Sequence, residues 1–264
     1  MTEEARAVAA NLVDALRGFG EAREDGQIQD SLGLRIISSG IAYAVFNSAV
    51  ITSEVDDPKE LEDRIALAAS FFRVLHHPWT LWFCNDHIGK KARRGFSGLT
   101  SRYRLEPLIE TPGMFAERLT PPERILPQLD IKPVGDEPTR LAFARLIGIS
   151  FDTPFEVCQA IYDRERAWRG NYRAWLGYLG SEAVTTAAIV NAADVTGIYS
   201  VATLPEFRQR GYGETVMRYA LAEAARDGEA PLVLQSSRAG FALYRRMGFK
   251  KVTGFEVYIH RDIE

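Results

Sequence analysis

The chain has 264 residues, of which 46% are hydrophobic and 25% charged, with a formal net charge of −3. That length suits two compact domains of about 100 to 150 residues each. The small negative balance excludes bulk attraction to nucleic acid or to an anionic membrane, so any anion must be held locally. Two cysteines far apart in sequence, Cys84 and Cys158, suit a reducing cytoplasm better than a disulfide framework. No apolar run reaches the ~18 residues of a membrane span.

Taken in chain order, the acidic start MTEEARAVAANLVDALRGFG repeats Val8, Ala9, Leu12, Val13 and Leu16 at helical spacing, which predicts an amphipathic helix rather than a signal peptide. IAYAVFNSAVIT is strand-like, and Asp57-Pro58-Lys59-Glu60 opens a helix whose Leu61, Ile65, Ala69 and Phe72 share a face. PWTLWFC is a strand. The proline-rich stretch TPPERILPQLDIKPVGD is a connector, which places a boundary near residue 128 between an N-terminal unit, 1–128, and a C-terminal one, 129–264.

Beyond the connector, TRLAFARLIGISF forms one helix, and Thr153-Pro154-Phe155-Glu156 offers a capping box for a second. NYRAWLGYL, AVTTAAIV and VTGIYSVATL, separated by short turns, make an antiparallel meander. A helix follows from Gly211 to Asp227, with Val216, Met217, Ala220, Leu221 and Ala224 on one face. Strand PLVLQ, a helix from about Arg238 to Met247 and strand VTGFEVYI complete the order. The implied class is α/β (α+β), a mixed sheet with helices on its faces. RRGFSGLTSRYRLEP in the first unit compares with RAGFALYRRMGFKKV in the second, so the unit reads as duplicated.

The chemistry concentrates in Arg208-Gln209-Arg210-Gly211-Tyr212-Gly213, between a strand and a helix. Glycines there permit close approach to the helix's first unpaired amides, an anion site suited to phosphate. A Walker loop fails because no Lys-Ser/Thr pair follows Gly213. A dinucleotide fingerprint fails because Val216 stands where a small residue is needed and a meander, not a parallel βαβ unit, precedes the loop.

The segment VATLPEFRQRGYGETVMRYALAEA resembles motif A of the GNAT N-acetyltransferase superfamily, and Ser237, Gly240, Leu243, Tyr244 and Met247-Gly248-Phe249 resemble its second CoA-contacting segment. The resemblance covers about residues 131–264 and implies an acyl-CoA N-acyltransferase fold, mostly antiparallel. It implies acetyl-CoA as acyl donor, with Arg208, Gln209, Arg210, Gly211, Tyr212, Gly213 and Glu214 around the pyrophosphate, and Ser237 nearby. Val201, Ala202 and Thr203 would lend backbone bonds to the pantetheine arm, and Tyr244 would be the general acid. The implied activity is direct acetyl transfer to a primary amine in the cytoplasm by a monomer or homodimer. A CoA-binding pseudoenzyme, acting as sensor or interaction module, is the alternative.

One departure stands out. Many members of that superfamily carry a glutamate fourteen residues before the first loop glycine, and here that place is Gly197. Asp194, Tyr199 or Glu182 acting through water, or an amine arriving with a lowered pKa, are the replacements considered. His76, His77 and the Cys84-x-x-His87 pair lack further ligands, so no metal is expected. In the first unit ITSEVDDPKE stands where the glycine loop would be, and its acidic residues would repel a pyrophosphate. The arrangement resembles tandem-GNAT proteins with a degenerate N-terminal half, whose Tyr43, Phe46, Asn47, Trp79 and Trp82 are candidates to line an acceptor pocket.

Overall fold

The computed structural model describes residues 1–261. Helix α1 (Glu3–Glu21) precedes strands β1 (Gln27–Ser31), β2 (Leu34–Ser38) and β3 (Asn47–Ile51), helix α2 (Pro58–Leu75), β4 (Trp79–Cys84), α3 (Lys90–Arg102) and β5 (Glu106–Ala116). The second half runs β6 (Asp130–Pro133), α4 (Glu137–Phe151), α5 (Phe155–Tyr162), β7 (Tyr172–Leu179), β8 (Glu182–Ala192), β9 (Val195–Thr203), α6 (Tyr212–Ala225), β10 (Leu232–Gln235), α7 (Phe241–Arg246) and β11 (Lys250–His260).

The apolar stripes behave as their spacing predicts. Val8, Ala9, Leu12 and Leu16 of α1 are buried, as are all five of the predicted α6 positions. Three local expectations differ. Only Asn47–Ile51 of the strand-like stretch is a strand, because Asn47 binds the carbonyls of Ile41, Tyr43 and Pro78 and folds residues 39–46 into a loop. Helix α5 has Pro154 at its N-cap with no side-chain cap bond, so the capping box is not made. Helix α7 starts at Phe241, three residues late, because the Ser237 hydroxyl accepts from the Gly240 amide and holds a turn there.

All strands join one sheet, in the order β1-β2-β3-β4-β11-β5-β10-β9-β8-β7-β6. The order is nearly palindromic about the β11–β5 pair. In each half a parallel pair, β3 with β4 and β9 with β10, is followed by the last strand of the other half. β11 lies antiparallel to β4, and β5 lies antiparallel to β10. The two exchanged strands also pair with each other along most of their length. A single pseudo-twofold axis through that pair relates two copies of strand, helix, strand, helix, strand.

Helices α2 and α3 cover one sheet face in the first half, and α6 and α7 cover the equivalent face in the second. Helix α1 packs on the opposite face against Val50, Cys84, Phe115, Val195 and Val233, which come from both halves. Arg166 Nε donates to the Glu21 carbonyl and Arg23 to that of Ala160, so α1 and the residues after it are latched to the α5 region.

Candidate active site

β9 and β10 pair only at Thr196–Leu232, Gly197–Val233 and Ile198–Leu234. Beyond this β9 continues to Thr203 while β10 stops at Gln235. A bulge starts the divergence. Ser200 adopts φ +50°, and the β8–β9 register shifts between Thr186 and Ala188, which turns the end of β9 away from its neighbour. β5 reaches back past β10 from Gly113 to Glu106, paired on its β11 side only. A cleft one missing strand wide therefore lies between the ends of β9 and β5, with backbone groups unclaimed along its edge.

The glycine loop closes one end of this cleft. Gln209 and Gly211 have φ +63° and +94°, a pair of left-handed turns that brings successive amides to one side. Among the described residues, no acceptor takes the N–H groups of Gln209 through Glu214, and Gly211 caps α6 without a side-chain bond. A Cβ at Gly213 would sit 3.3 Å from Thr203 Oγ1, so the helix start and the strand end are in close contact. Arg208 Nε donates to the Thr203 carbonyl at 3.0 Å, which leaves its two Nη groups for an anion. Arg210 lies 5.7 Å over the Phe207 ring. Glu214, buried in the first turn, is neutralised by Arg218 at 2.9 Å. Arg124 of the connector adds a guanidinium whose Nη2 lies 3.2 Å from where a Gly211 Cβ would be.

The donor set fits an acyl-CoA. Six unclaimed amides at a helix start and flanking arginines match a pyrophosphate and a ribose phosphate, and the open edge of β9 at Val201–Thr203 matches an extended amide-bearing arm. Tyr244 lies on α7, which leaves the cleft floor after β10. Burial pushes its phenol up to about 12, and among the described residues its hydroxyl has no hydrogen-bond partner. Its ring packs edge-on to Phe249 and against Gly240. The Ser237 hydroxyl accepts from the Gly240 amide at 3.1 Å in the turn that leads into α7.

The base candidates separate. Asp194 occupies the exposed tip of the β8–β9 hairpin, in a two-residue turn with Ala193 at φ +54° and Asp194 at +57°. It stands at the start of β9, seven residues and roughly 23 Å of strand from Val201, a separation that does not suit a base for an amine at the cleft. Glu182 is exposed at the β7–β8 turn beside Leu204 and Glu206, in a hollow lined by α4. Tyr199 is buried and donates its proton to Asn11 Oδ1 at 2.7 Å, with burial holding its phenol well above the usual range. It is committed to α1.

Asn11 also explains Gly197, and sequence reasoning missed it. Its amide nitrogen donates to the carbonyls of Val190 and Ala192, both at 3.0 Å, and stitches α1 onto the β8–β9 hairpin. A Cβ at Gly197 would collide with Asn11 Oδ1 and lie 2.6 Å from the Tyr199 ring. The place of the usual glutamate is thus filled by a side chain from the other end of the chain. Gly197→Ala is expected to lower unfolding free energy by about 1–3 kcal/mol through overpacking. Combined with Asn11→Ala, the loss should be less than the sum of the two single losses in urea denaturation.

The equivalent crevice in the first half is shut. β3 and β4 stay in register from Ser48–Thr80 to Ile51–Phe83, and Val55 then pairs with Ile88 through bonds to His87 and Gly89 of 2.8 Å each. Buried His87 fills the gap, with Nδ1 3.0 Å from the Ile51 carbonyl. Asp57 accepts from the Lys59 amide, which occupies the α2 start with a carboxylate. Of the acceptor-pocket candidates, Phe46 and Trp79 are core residues and Asn47 is the buried hub of its loop. Tyr43 and Trp82 remain half-buried.

Both cysteines are buried and free. Among the described residues no cluster of three His, Cys, Asp or Glu side chains is arranged to hold a metal ion, and no helix is long and apolar enough to cross a membrane.

Residues 143–249 match the family described as acetyltransferase (GNAT) family. No curated protein shows significant sequence similarity to the chain. Among solved structures, a GCN5-related N-acetyltransferase from Kribbella flavida superposes with a TM-score of 0.71 at 18% identity, over 99% of this chain and 97% of that one. A tandem GNAT protein from the clavulanic acid biosynthesis pathway gives 0.58 at 11% identity, over 97% and 93%. A GCN5-related N-acetyltransferase from Sphaerobacter thermophilus gives 0.57 at 16% identity, over 86% and 76%. These likenesses speak for the fold across both halves, and the family match lies on the cleft, the loop and α7. Residues 143–249 are similar to the acetyltransferase (GNAT) family, and the chain as a whole has the fold of the GNAT structures it superposes on.

Proposed function

We propose that the chain is an acetyl-CoA-dependent N-acetyltransferase whose one working site is the β9–β10 cleft of the C-terminal half. The observation that carries this reading is the joined geometry of an open strand edge, six unclaimed amides and a buried tyrosine without a partner. The loop amides and arginines hold the pyrophosphate, and Val201–Thr203 align the pantetheine arm as an added strand.

Transfer needs a neutral amine, charge stabilisation at the thioester oxygen and a proton for the departing sulfur. A backbone N–H on the free edge of β9 serves the oxygen, which makes side-chain identity there secondary. Tyr244 donates the proton to sulfur. Its phenol, raised to about 12, stays protonated throughout the working range. With Gly197 in place of a carboxylate and Tyr199 bound to Asn11, the amine's proton passes to solvent water.

The test is free-thiol release from acetyl-CoA across a panel of primary amines, with CoA binding measured separately. Because no enzyme carboxylate acts as base, log kcat/KM should climb with pH until the acceptor amine's own pKa. Deprotonation of Tyr244 would reduce activity only near 12, so no descending limb is expected below about pH 10. A plateau near pH 6–7 with an amine of pKa about 10 would reveal an enzyme base and overturn the mechanism. Failure to bind CoA at high micromolar concentration would overturn the reading itself.

A further inference from the structure

Gln235 is the last residue of β10 and stands at the fork between β10 and β9. On one side it still pairs with Gly113 of β5, while on the other the ladder to β9 has ended one residue earlier, at Leu234–Ile198. Successive strand residues alternate between faces, and Leu234 packs beneath α6, so Gln235 turns to the α1 face beside Tyr199. We propose that Gln235 receives the acceptor amine, its carboxamide oxygen accepting one N–H of the incoming nitrogen. This role rests on the acetyl-transfer reading of the cleft and gives that reading a residue in contact with the amine.

The neighbours of the carboxamide fix which way round it sits. Its nitrogen lies 3.4 Å from the Val8 carbonyl of α1, a group that can only accept. The Tyr199 phenol is within hydrogen-bonding reach as well. That phenol has given its proton to Asn11 Oδ1 at 2.7 Å, so its oxygen takes a proton from Gln235 and returns none. Both N–H groups of Nε2 are thereby spent. Oε1 is left with no partner among the described residues, and it is not sealed from solvent.

A carboxamide suits a site without a carboxylate base. It stays neutral across the working range and accepts an N–H without taking the proton, so the nitrogen lone pair is held toward the thioester while the amine's proton leaves to water. Two restraints on the NH₂ group matter because rate is gained by holding the reacting atoms near their attack geometry. A Cβ at Gly113, the β5 partner of Gln235, would lie 3.0 Å from Val8 Cγ1, so glycine there lets α1 come down onto the fork. Val8 and Asn11 both belong to α1. The first half therefore sets the angle at which the amine arrives, although its own crevice is shut.

The test measures amine-dependent thiol release and, separately, CoA affinity in the full chain and its variants, using the best amine of the panel. Gln235→Met keeps the length of the side chain and removes the acceptor oxygen. It should lower kcat/KM for the amine by about tenfold or more while CoA affinity changes less than about threefold. Gln235→Leu carries the same expectation, so the result does not hang on one variant folding. Tyr199→Phe, which releases one of the two restraints, should lower kcat/KM about threefold alone and add nothing in the Gln235→Met background. The role is excluded if Gln235→Met and Gln235→Leu keep the native kcat/KM, if CoA affinity falls in step with it, or if the Tyr199→Phe and Gln235→Met losses multiply. A native chain that binds CoA and turns over no amine removes the acetyl-transfer reading and this role with it. Turnover indifferent to the residue at position 235 removes the role alone.

Discussion

Tyr244→Phe is expected to reduce kcat for acetyl transfer by about a hundredfold or more while changing CoA affinity less than about threefold. General acid catalysis contributes typically 10²–10⁴ in rate, and the departing thiolate has no other proton donor among the residues placed at the cleft. The ring that packs against Phe249 and Gly240 is retained in the variant, and the hydroxyl makes no hydrogen bond that its removal would break. Stability should therefore change by under about 1 kcal/mol. Pre-steady-state thiol release and CoA titration separate the two effects. An unchanged kcat would remove Tyr244 from the chemistry and favour the CoA-sensing alternative, as would CoA binding without turnover on any amine.

The second large effect concerns the exchanged strands. Residues 129–264 expressed alone should fail to fold cooperatively, although they contain the whole cleft loop, α6 and α7. The fragment lacks β5, which covers the four residues of β10 along one edge and pairs with β11 on the other. Val233 and Leu234, fully buried in the intact chain, would lie beside an open edge, and β11 would lose both neighbours. Coexpression with residues 1–128 should restore a one-to-one complex with acetyl-CoA binding. A sharp thermal transition in the isolated fragment would show that β5 is dispensable.

The sequence carries the order of elements because each has a local signature. The α6 stripe, the meander turns and the Arg208–Gly213 loop are all written in adjacent residues. Strand partnership is not. Nothing in the composition of 106–116 or 250–260 distinguishes pairing within a half from crossing to the other, since both are apolar strands after a helix. The site divides the same way. Gly211, Gly213 and Tyr244 were legible from spacing and resemblance. The bulge at Ser200 was not, because a serine at positive φ is imposed by its neighbours. Asn11 offered a faint signal, a single amide among Val8, Ala9 and Leu12, but its partners are about 180 residues away. The sequence around Asp194 suits either a turn or a base, and its positive φ at the exposed hairpin tip fits the turn.

The zipped crevice between β3 and β4 has a counting consequence. A chain that looks like two enzymes in its topology should take up one equivalent of acyl donor at saturation, with a single-phase isotherm and no cooperativity between halves. The Val55–Ile88 seam frees residues 53–57 from any duty to phosphate, and three of those five, Glu54, Asp56 and Asp57, are acidic.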